Sequence, residues 1–313
     1  MKGLELSRAY YQEYGAPMLK ERFPSLTGLL AVGLVGEGSE CMGFDDEVSQ
    51  DHDFEPGFVV FLPGEEIIDR RTAFVLERAY AALPGEYQGI RRCSISPVGG
   101  TRHGVLRTDA FFRDKCGAPD GCLSLQQWLQ VPEQSLAEAT GGEVFCDPYG
   151  EVTKIRERLA YFPEDIRRKK LAGALLIMAQ SGQYNYTRCL QHGETAAAQL
   201  AVIEYVKSTM SAVFLLNRVY QPYYKWSFRK MRTLPRLSLL AELLEYLITS
   251  DNDGENAREK QSVIEGIAAD VIDELMDQEL TRAVCQDLEK HAYSVNDGVR
   301  DSTVRNMHIL VGI

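Results

Sequence analysis

Two short segments near the N-terminus have the residue types and the spacing to bind a nucleotide and a metal ion. An apolar stretch over 29–35 predicts a strand, and Gly36-Glu37-Gly38-Ser39 follows it directly. Because glycine permits positive φ and has no side chain, the backbone N–H groups of such a turn and the Ser39 hydroxyl can approach phosphate oxygens. Asp51-His52-Asp53 begins twelve residues after Ser39 and precedes the apolar run 58–62. Together the two segments predict metal-assisted phosphoryl or nucleotidyl transfer.

Asp51 and Asp53 are the candidate metal ligands. At the start of a strand, side chains at alternate positions point to one face, so the two carboxylates would lie together and His52 would point away. Mg²⁺ prefers one or two carboxylates together with substrate phosphates and water. There are alternatives, since Asp residues at a turn often bind backbone N–H groups, and Ser39 could be the N-cap of an ordinary strand-to-helix turn.

A two-metal site normally uses a third carboxylate from a neighbouring strand. Asp109, at the end of the predicted strand 104–108, is the candidate by position, and a helix N-cap is the alternative role for it. If Asp109 faces away, Asp147 or Glu194 is the candidate for activating the acceptor. The acidic run 45–47 is interpreted as a solvated loop outside the site.

A second group of candidate nucleotide-binding residues lies further along the chain. Asn185, Arg188 and His192 are spaced to share one helical face, which is either a binding face or a polar stripe towards solvent. Lys225 beside Trp226 offers a cation to a triphosphate and a flat ring to a base. The predicted nucleotide-binding set is therefore Gly38 and Ser39 with Asn185, Arg188 and Lys225.

The composition restricts the partners and the compartment. A net charge of −11 over 313 residues makes nucleic acid a disfavoured partner, because nucleic-acid binders usually concentrate Lys and Arg on one face. The seven cysteines include no Cys-x-x-Cys pair, and their odd number argues against a disulfide framework. No leader pattern and no stretch of membrane-spanning length is apparent, so we expect a cytoplasmic protein without a membrane partner.

The pattern of helices and strands predicts an α+β fold with two domains. Residues 1–118 are expected to form a small mixed sheet with helices, including a helix over 4–23 that Pro24 ends. Residues 119–313 lose the strand pattern and are expected to form a helical bundle, with a loosely held tail from about residue 294. The apolar helices of the bundle are also compatible with a homodimer.

Several of these segments resemble one family. The spacing of Gly38-Ser39 and Asp51-x-Asp53 is similar to the signature of polymerase-β-type nucleotidyltransferases. More narrowly, the chain resembles a bacterial group in that superfamily that carries the domain of unknown function DUF4037, to about residue 240. The segments that carry this narrower resemblance are 36–41, 43–47, 51–54, 142–147, 163–165, 183–186, 216–217 and 222–226.

The resemblance implies a fold and an activity. It implies a polymerase-β-like nucleotidyltransferase domain followed by a helical domain, with the active site between them. It also implies Mg²⁺-dependent transfer of a nucleoside monophosphate, AMP from ATP or the equivalent from another NTP, to an acceptor hydroxyl of a small molecule. Asp51, Asp53 and Asp109 would be the catalytic residues. The alternatives are transfer to a protein or tRNA, and a catalytically silent nucleotide-binding module.

Overall fold

The computed structural model describes residues 1–48, 54–92 and 102–313. These residues divide into two units with separate cores. The first unit consists of 1–123 and 131–160, and the second consists of 124–130 and 161–313. The expected α+β class is confirmed, because the sheet lies in the first unit and the second unit is helical.

The described residues form α-helices, two π-helical segments and short strands. In chain order the helices are α1 (Gly3–Tyr10), α2 (Ala16–Arg22), α3 (Ser39–Met42), α4 (Arg70–Ala81), α5 (Thr108–Cys116), α6 (Leu125–Gln130), α7 (Glu133–Thr140), α8 (Glu151–Arg158), α9 (Glu164–Met178), α10 (Thr187–Gln191), α11 (Thr195–Leu216), α12 (Tyr224–Met231), α13 (Leu240–Thr249), α14 (Gly254–Asp277), α15 (Leu288–Asp297) and α16 (Ser302–Asn306). The strands are β1 (Ala31–Leu34), β2 (Val59–Leu62), β3 (Glu86–Tyr87), β4 (Ile90–Arg91), β5 (Gly104–Arg107) and β6 (Glu143–Cys146). The π-helical segments are Tyr11–Gly15 and Ala179–Tyr186.

The main sheet has the strand order β5-β2-β1-β6. β1 runs antiparallel to both β2 and β6, whereas β2 and β5 are parallel. Gly33 pairs with Val59, and Val59 pairs with Gly104. The C-terminal end of β1 therefore lies beside the N-terminal ends of β2 and β5, and we call this end of the strands the edge that carries the turn after β1.

Alternation along the strands gives the sheet two covered faces. Val60 and Leu62 point into a buried cluster beneath α1, α2 and α4, where β-branched and aromatic residues pack well on a pleated surface. Phe61 points to the other face, and its ring lies 5.3 Å from that of Phe111 on α5. Asp69 fixes the start of α4 by accepting a hydrogen bond from the Thr72 backbone N–H. Helices α1, α2 and α4 thus cover one face of the sheet, and α5 covers the other.

β6 differs from the sequence-based expectation. The strand pattern fades after residue 118 and Gly141-Gly142 is expected to open a loop, yet β6 pairs with β1 as the edge strand of the sheet. The turn makes this approach close, since a Cβ on Gly142 would lie 2.0 Å from the Leu34 carbonyl oxygen. Residues 131–160 consequently join the first unit, and the division differs from the expected boundary at 118.

The second unit is a helical bundle with α9 and α11 at its centre. Both are buried along most of their length, as the expected bundle requires. α11 is the one helix in the described part of the chain that is long and apolar enough to cross a membrane, and most of that stretch is buried inside the protein. It is therefore placed as a core helix in this unit.

The expectation of a loose tail from residue 294 is wrong. The buried Lys169 ammonium donates hydrogen bonds to Asn296 Oδ1 and to the Arg305 and Met307 carbonyl oxygens, at 2.7–3.2 Å. Asp165 accepts hydrogen bonds from the backbone N–H groups of residues 300 and 301. The last residues are thus fastened to α9 by buried polar contacts, which hydrophobic periodicity does not reveal.

Candidate functional site

The glycine turn (residues 36–39) connects β1 to α3. Gly36 has φ 120° and Gly38 has φ 113°, and both values favour glycine. Gly38 occupies the N-cap position of α3 and Ser39 is the first helical residue, so Ser39 is not the N-cap. The Ser39 hydroxyl lies 3.5 Å from Glu40 Oε2. The positive φ values and the missing side chains at Gly36 and Gly38 are thus as the sequence predicts, and the role of the turn in binding phosphate stays a prediction.

An ion pair between Arg102 and Glu40 lies directly over this turn. Arg102 Nη2 donates to Glu40 Oε1 and to the Glu37 carbonyl oxygen, both at 2.7 Å. A Cβ on Gly38 would lie 1.6 Å from Arg102 Nη2 and 2.6 Å from the Glu40 carboxylate oxygens. A side chain at position 38 would therefore displace this pair, whose two side chains are 16% and 10% exposed, and would also be strained at φ 113°.

A second cation, Lys115, lies on the other side of the turn. Its ammonium contacts Glu37 Oε1 at 2.5 Å and Glu138 Oε2 at 2.7 Å. Burial lowers the pKa of Lys115, but the hydrogen bonds and charges of these two carboxylates outweigh it and raise the pKa above the ordinary value. Lys115 is therefore charged at neutral pH.

A cavity of about 270 Å³ opens beside the glycine turn, entirely within the first unit. Gly36 and Glu37 form one side, Arg102 and Lys115 contribute cations, and Asp114 contributes a carboxylate. The volume is slightly below the range of roughly 300–1,000 Å³ that small-molecule sites occupy. It suits a phosphate chain better than a whole nucleotide.

Asp51 and Asp53 lie outside the described residues, so their assignment as metal ligands stays a prediction. β2 begins at Val59, several residues after this motif. Phe54, which follows Asp53 directly, lies near the turn: a Cβ on Gly3 would be 3.3 Å from the Phe54 ring and 2.7 Å from Glu40 Cβ. Phe54 and Glu40, which pairs with Arg102, therefore both lie next to Gly3.

Asp109 is not brought together with the glycine turn. It follows the end of β5, whereas the turn lies at the edge where β5 starts. Its carboxylate is about half exposed and pairs with Arg113 at 3.1 Å, one helical turn away. Asp147 caps α8 by accepting from the Gly150 and Thr153 backbone N–H groups. Both carboxylates thus have local partners, Asp109 within the first turn of α5, where Arg107 and not Asp109 is the N-cap, and Asp147 just before α8.

Glu151 lies close enough to Asp109 for their charges to interact. Burial raises its pKa, and the negative charges of Asp147, Asp109 and Glu66 raise it further. Within residues 1–48, 54–92 and 102–313, no group of three or more His, Cys, Asp or Glu side chains is arranged to hold a metal ion.

The acidic run 45–47 is expected to be a solvated loop, and this expectation is wrong for Asp45. Its carboxylate is buried and accepts a hydrogen bond of 2.6 Å from the Gly3 backbone N–H at the start of α1. The Lys2 ammonium lies 3.4 Å from the same carboxylate. Asp45 therefore holds the N-terminal helix in place and does not belong to a solvated loop.

Asn185, Arg188 and Lys225 lie in the second unit, and their role in binding a nucleotide stays a prediction. Asn185 is in a π-helical segment, so the α-helical spacing that would align it with Arg188 does not apply. The Arg188 guanidinium lies 5.0 Å from the Tyr184 ring, and the Lys225 ammonium lies 5.0 Å from the Trp226 ring. Glu194 is the residue before α11 in the same unit.

Arg102, Lys115 and Asp114 are the residues at the cavity that sequence reasoning missed. Arg102 adjoins the segment 93–101, which carried no helix or strand signal beyond residue 95, so its side chain could not be assigned a neighbour. Asp114 and Lys115 are more accessible to prediction, because they follow Phe111 by one helical turn and therefore share its face of α5. Recognising α5 as a helix packed on the sheet would have drawn attention to both.

Comparisons with known proteins agree with the expected family over part of the chain. Residues 128–227 match the model of a family described as domain of unknown function DUF4037. The expected resemblance to DUF4037 proteins is confirmed for that segment. None of the curated proteins compared matches the chain.

One solved structure is similar to this chain at low level. It is a nucleotidyltransferase-like protein from Exiguobacterium sibiricum 255-15, with 10% identity and a TM-score of 0.39. The match covers 94% of this chain and 80% of the other. A likeness of this size carries no weight for the activity of the present chain.

Proposed function

We propose that the chain is a Mg²⁺-dependent nucleotidyltransferase that moves a nucleoside monophosphate, AMP from ATP in the simplest case, to an acceptor hydroxyl of a small molecule. The observation that carries the proposal is the glycine turn at the end of β1, flanked by Arg102 and Lys115. Two cations beside a turn with positive φ suit a polyphosphate, because both can exchange carboxylate partners for phosphate oxygens. The position of Phe54 beside Glu40 supports placing Asp51 and Asp53 at the same edge.

The chemistry of the donors fits a magnesium nucleotide. Asp51 and Asp53 are hard oxygen donors of the kind that Mg²⁺ prefers, and the triphosphate supplies the remaining charged oxygens. When bound there, Mg²⁺ supplies charge neutralisation for the triphosphate and the leaving pyrophosphate. Glu37 and Glu40 pair with Lys115 and Arg102 in this structure, and the proposal does not include them among the metal ligands.

The residues of the chain have distinct roles in the proposed reaction. The backbone N–H groups at Gly38 and Ser39 hold the outer phosphates, and Arg102 leaves Glu40 to contact them. Lys115 stabilises negative charge as the bond to pyrophosphate breaks. The acceptor oxygen attacks the α-phosphorus as its proton passes to a carboxylate, for which we propose Asp114 in the cavity in preference to Asp109. Positioning and charge stabilisation then provide most of the rate.

A screen of nucleotides tests this function directly. ATP, GTP, CTP and UTP are each added with Mg²⁺ or EDTA, and the shift in thermal unfolding is measured, since a ligand that binds only the folded state raises its stability. A Mg²⁺-dependent shift with at least one NTP is expected. Pyrophosphate release is then followed with pooled small-molecule hydroxyl acceptors, with the Asp51→Asn/Asp53→Asn protein as control. No shift with any NTP would contradict the proposal.

A nucleotide-binding module without transfer activity is the second candidate. The distance of Asp109 from the glycine turn along β5 favours it, because a two-metal site needs a third carboxylate close by. Nucleotide binding without pyrophosphate release over many acceptors would support this candidate. Transfer to a protein or tRNA would appear as label from ATP in macromolecules of a lysate. The cytoplasmic location, the disfavoured nucleic-acid partner and the homodimer stay predictions.

A further inference from the structure

Three arginines of the second unit converge on one carboxylate. Glu164 is the first residue of α9, and both of its oxygens accept hydrogen bonds from Arg167, at 2.9 and 3.0 Å. Arg168 donates from Nε at 3.0 Å, and Arg218 donates from Nη2 at 2.7 Å. These four residues form what we call the arginine cluster.

The charges of the arginine cluster do not balance. In the part of the chain that the structure describes, its three guanidinium groups share the single carboxylate of Glu164 in their ion pairs. The neighbouring carboxylate of Asp165 is occupied by two backbone N–H groups. The Arg167 side chain is only 2% exposed, so water screens its charge poorly, whereas the Arg218 side chain is 54% exposed and is screened more. The cluster therefore attracts a second anion.

The ionisation of Glu164 reflects the same excess of positive charge. Burial raises the pKa of this carboxyl, but hydrogen bonding and charge from Arg167, together with the charge of Arg218, lower it from 4.5 to about 2. Glu164 thus remains an anion under all physiological conditions. It offers only two oxygens to three guanidinium groups that carry five donors each.

A cavity of about 490 Å³ lies against the cluster. Arg167, Arg168, Arg218 and Arg236 line it, and Asp277 is the other carboxylate besides Glu164 on its wall. Arg236 is paired with Glu274 at 2.6 Å, so its charge is already compensated. The cavity has room for an anion larger than a carboxylate, in contact with the cluster.

The backbone at Arg218 has an unusual conformation, and a neighbouring side chain fixes the loop. Arg218 has φ 54°, a conformation that residues other than glycine adopt rarely. The preceding Asn217 fixes this loop, because its side chain accepts from the Arg236 N–H and donates to the Arg236 carbonyl oxygen, both at 3.0 Å.

We propose that the arginine cluster binds a phosphate group, supplied by inorganic phosphate or by a small phosphorylated molecule, at a site separate from the glycine turn. Arginine forks match phosphate oxygens in pairs, and phosphate offers more acceptors than the Glu164 carboxylate that the cluster now holds. Glu164 keeps the guanidinium groups in position and the added phosphate balances their charge. The inference does not depend on nucleotidyl transfer.

Arg218→Gly is the decisive variant, because glycine adopts positive φ readily and the substitution removes one guanidinium without backbone strain. Gln88→Gly is the matched control, since Gln88 is exposed, has φ 50° and lies in the first unit. Thermal unfolding is measured for both variants and the wild type over a titration with inorganic phosphate, with pyrophosphate and glycerol phosphate as further arms. Ionic strength is held constant with sodium chloride.

The expected result is saturable stabilisation of the wild type and of Gln88→Gly, with an apparent Kd about tenfold or more weaker in Arg218→Gly. Glu164→Gln should bind phosphate more tightly than the wild type, because the competing carboxylate charge is gone. A stronger effect of glycerol phosphate than of phosphate would identify an ester as the ligand, and the reverse would identify the free ion. Equal responses in the wild type and Arg218→Gly, or no response in the wild type, would overturn the proposal.

Discussion

Arg102 donates a hydrogen bond of 2.7 Å to Glu40 directly over the backbone of Gly38. Glu40, the residue after the glycine turn, thereby holds the Arg102 guanidinium at the turn, where the proposed polyphosphate would bind. Such an arrangement keeps the guanidinium ordered before a nucleotide arrives, so less side-chain freedom is lost on binding. The proposed function requires the Arg102 guanidinium to exchange the Glu40 carboxylate for phosphate oxygens.

Removing the Arg102 guanidinium is the most direct change at this pair. Arg102→Ala is expected to weaken binding of a non-hydrolysable ATP analogue with Mg²⁺ by about 10- to 100-fold, because a hydrogen bond to a charged group contributes roughly 1.5–3 kcal/mol. Isothermal titration calorimetry gives the Kd. Arg70→Ala is the control, since Arg70 forms an exposed pair with Glu65 away from the turn. Equal affinity in the two variants would remove Arg102 from the site.

Gly38 is expected to be intolerant of any side chain. In Gly38→Ala the added methyl group collides with Arg102, and alanine disfavours φ 113°, so nucleotide binding should be lost and the melting temperature lowered. The control is Gly28→Ala, because a Cβ on Gly28 meets no atom within 4 Å. Thermal unfolding with and without ATP and Mg²⁺ measures both effects. Nucleotide binding at wild-type strength in Gly38→Ala would refute the phosphate role of the turn.

Asp114 and Asp109 differ in their expected effects on turnover. Asp114→Asn should lower kcat by about 100-fold or more with little change in nucleotide Kd, because a positioned general base contributes typically 10²- to 10⁴-fold. Asp109→Asn should leave kcat within about twofold, since its carboxylate contacts Arg113 at the other edge of the sheet. The assay is pyrophosphate release with an identified acceptor. The opposite ranking of the two variants would restore Asp109 as the catalytic carboxylate.

The first unit shows where sequence patterns are informative. β1 and β2 are predictable because each is a short continuous apolar run, and the leading helix because its apolar residues have helical spacing. β6 was missed because Glu143–Cys146 is short and half-buried, and it is a strand only through pairing with β1. Short strands of this kind depend on tertiary contacts rather than on their own composition.

The backbone conformation of the glycine turn is predictable from the sequence, whereas its role in binding phosphate stays a prediction. The glycine turn was expected from its residues, because positive φ at Gly36 and Gly38 is a local property. Arg102 and Lys115 were missed, since both reach the turn through pairing and packing between segments far apart in sequence. The Arg218 contact with Glu164 spans 54 residues and was inaccessible for the same reason.

The arginine cluster gives stability a specific dependence on pH. The pKa of Glu164 is depressed to about 2 in the folded protein, so its contribution to stability is fully present above about pH 5 and is lost as pH falls towards 2. Urea unfolding of the wild type and Glu164→Gln should therefore differ most above pH 5, and the difference should shrink on acidification. A difference in unfolding free energy that stays constant from pH 7 to pH 3 would contradict this linkage.

Calorimetric titration of ATP with Mg²⁺ into the wild type and the Asp51→Asn/Asp53→Asn protein tests the central claim most directly. We expect Mg²⁺ to tighten ATP binding to the wild type by about tenfold or more, and to have no such effect on the double variant while its circular dichroism stays unchanged, because the carboxylates would no longer hold the ion. The same Mg²⁺-dependent affinity in both proteins would contradict the claim that these two aspartates bind the metal of a nucleotide at the glycine turn.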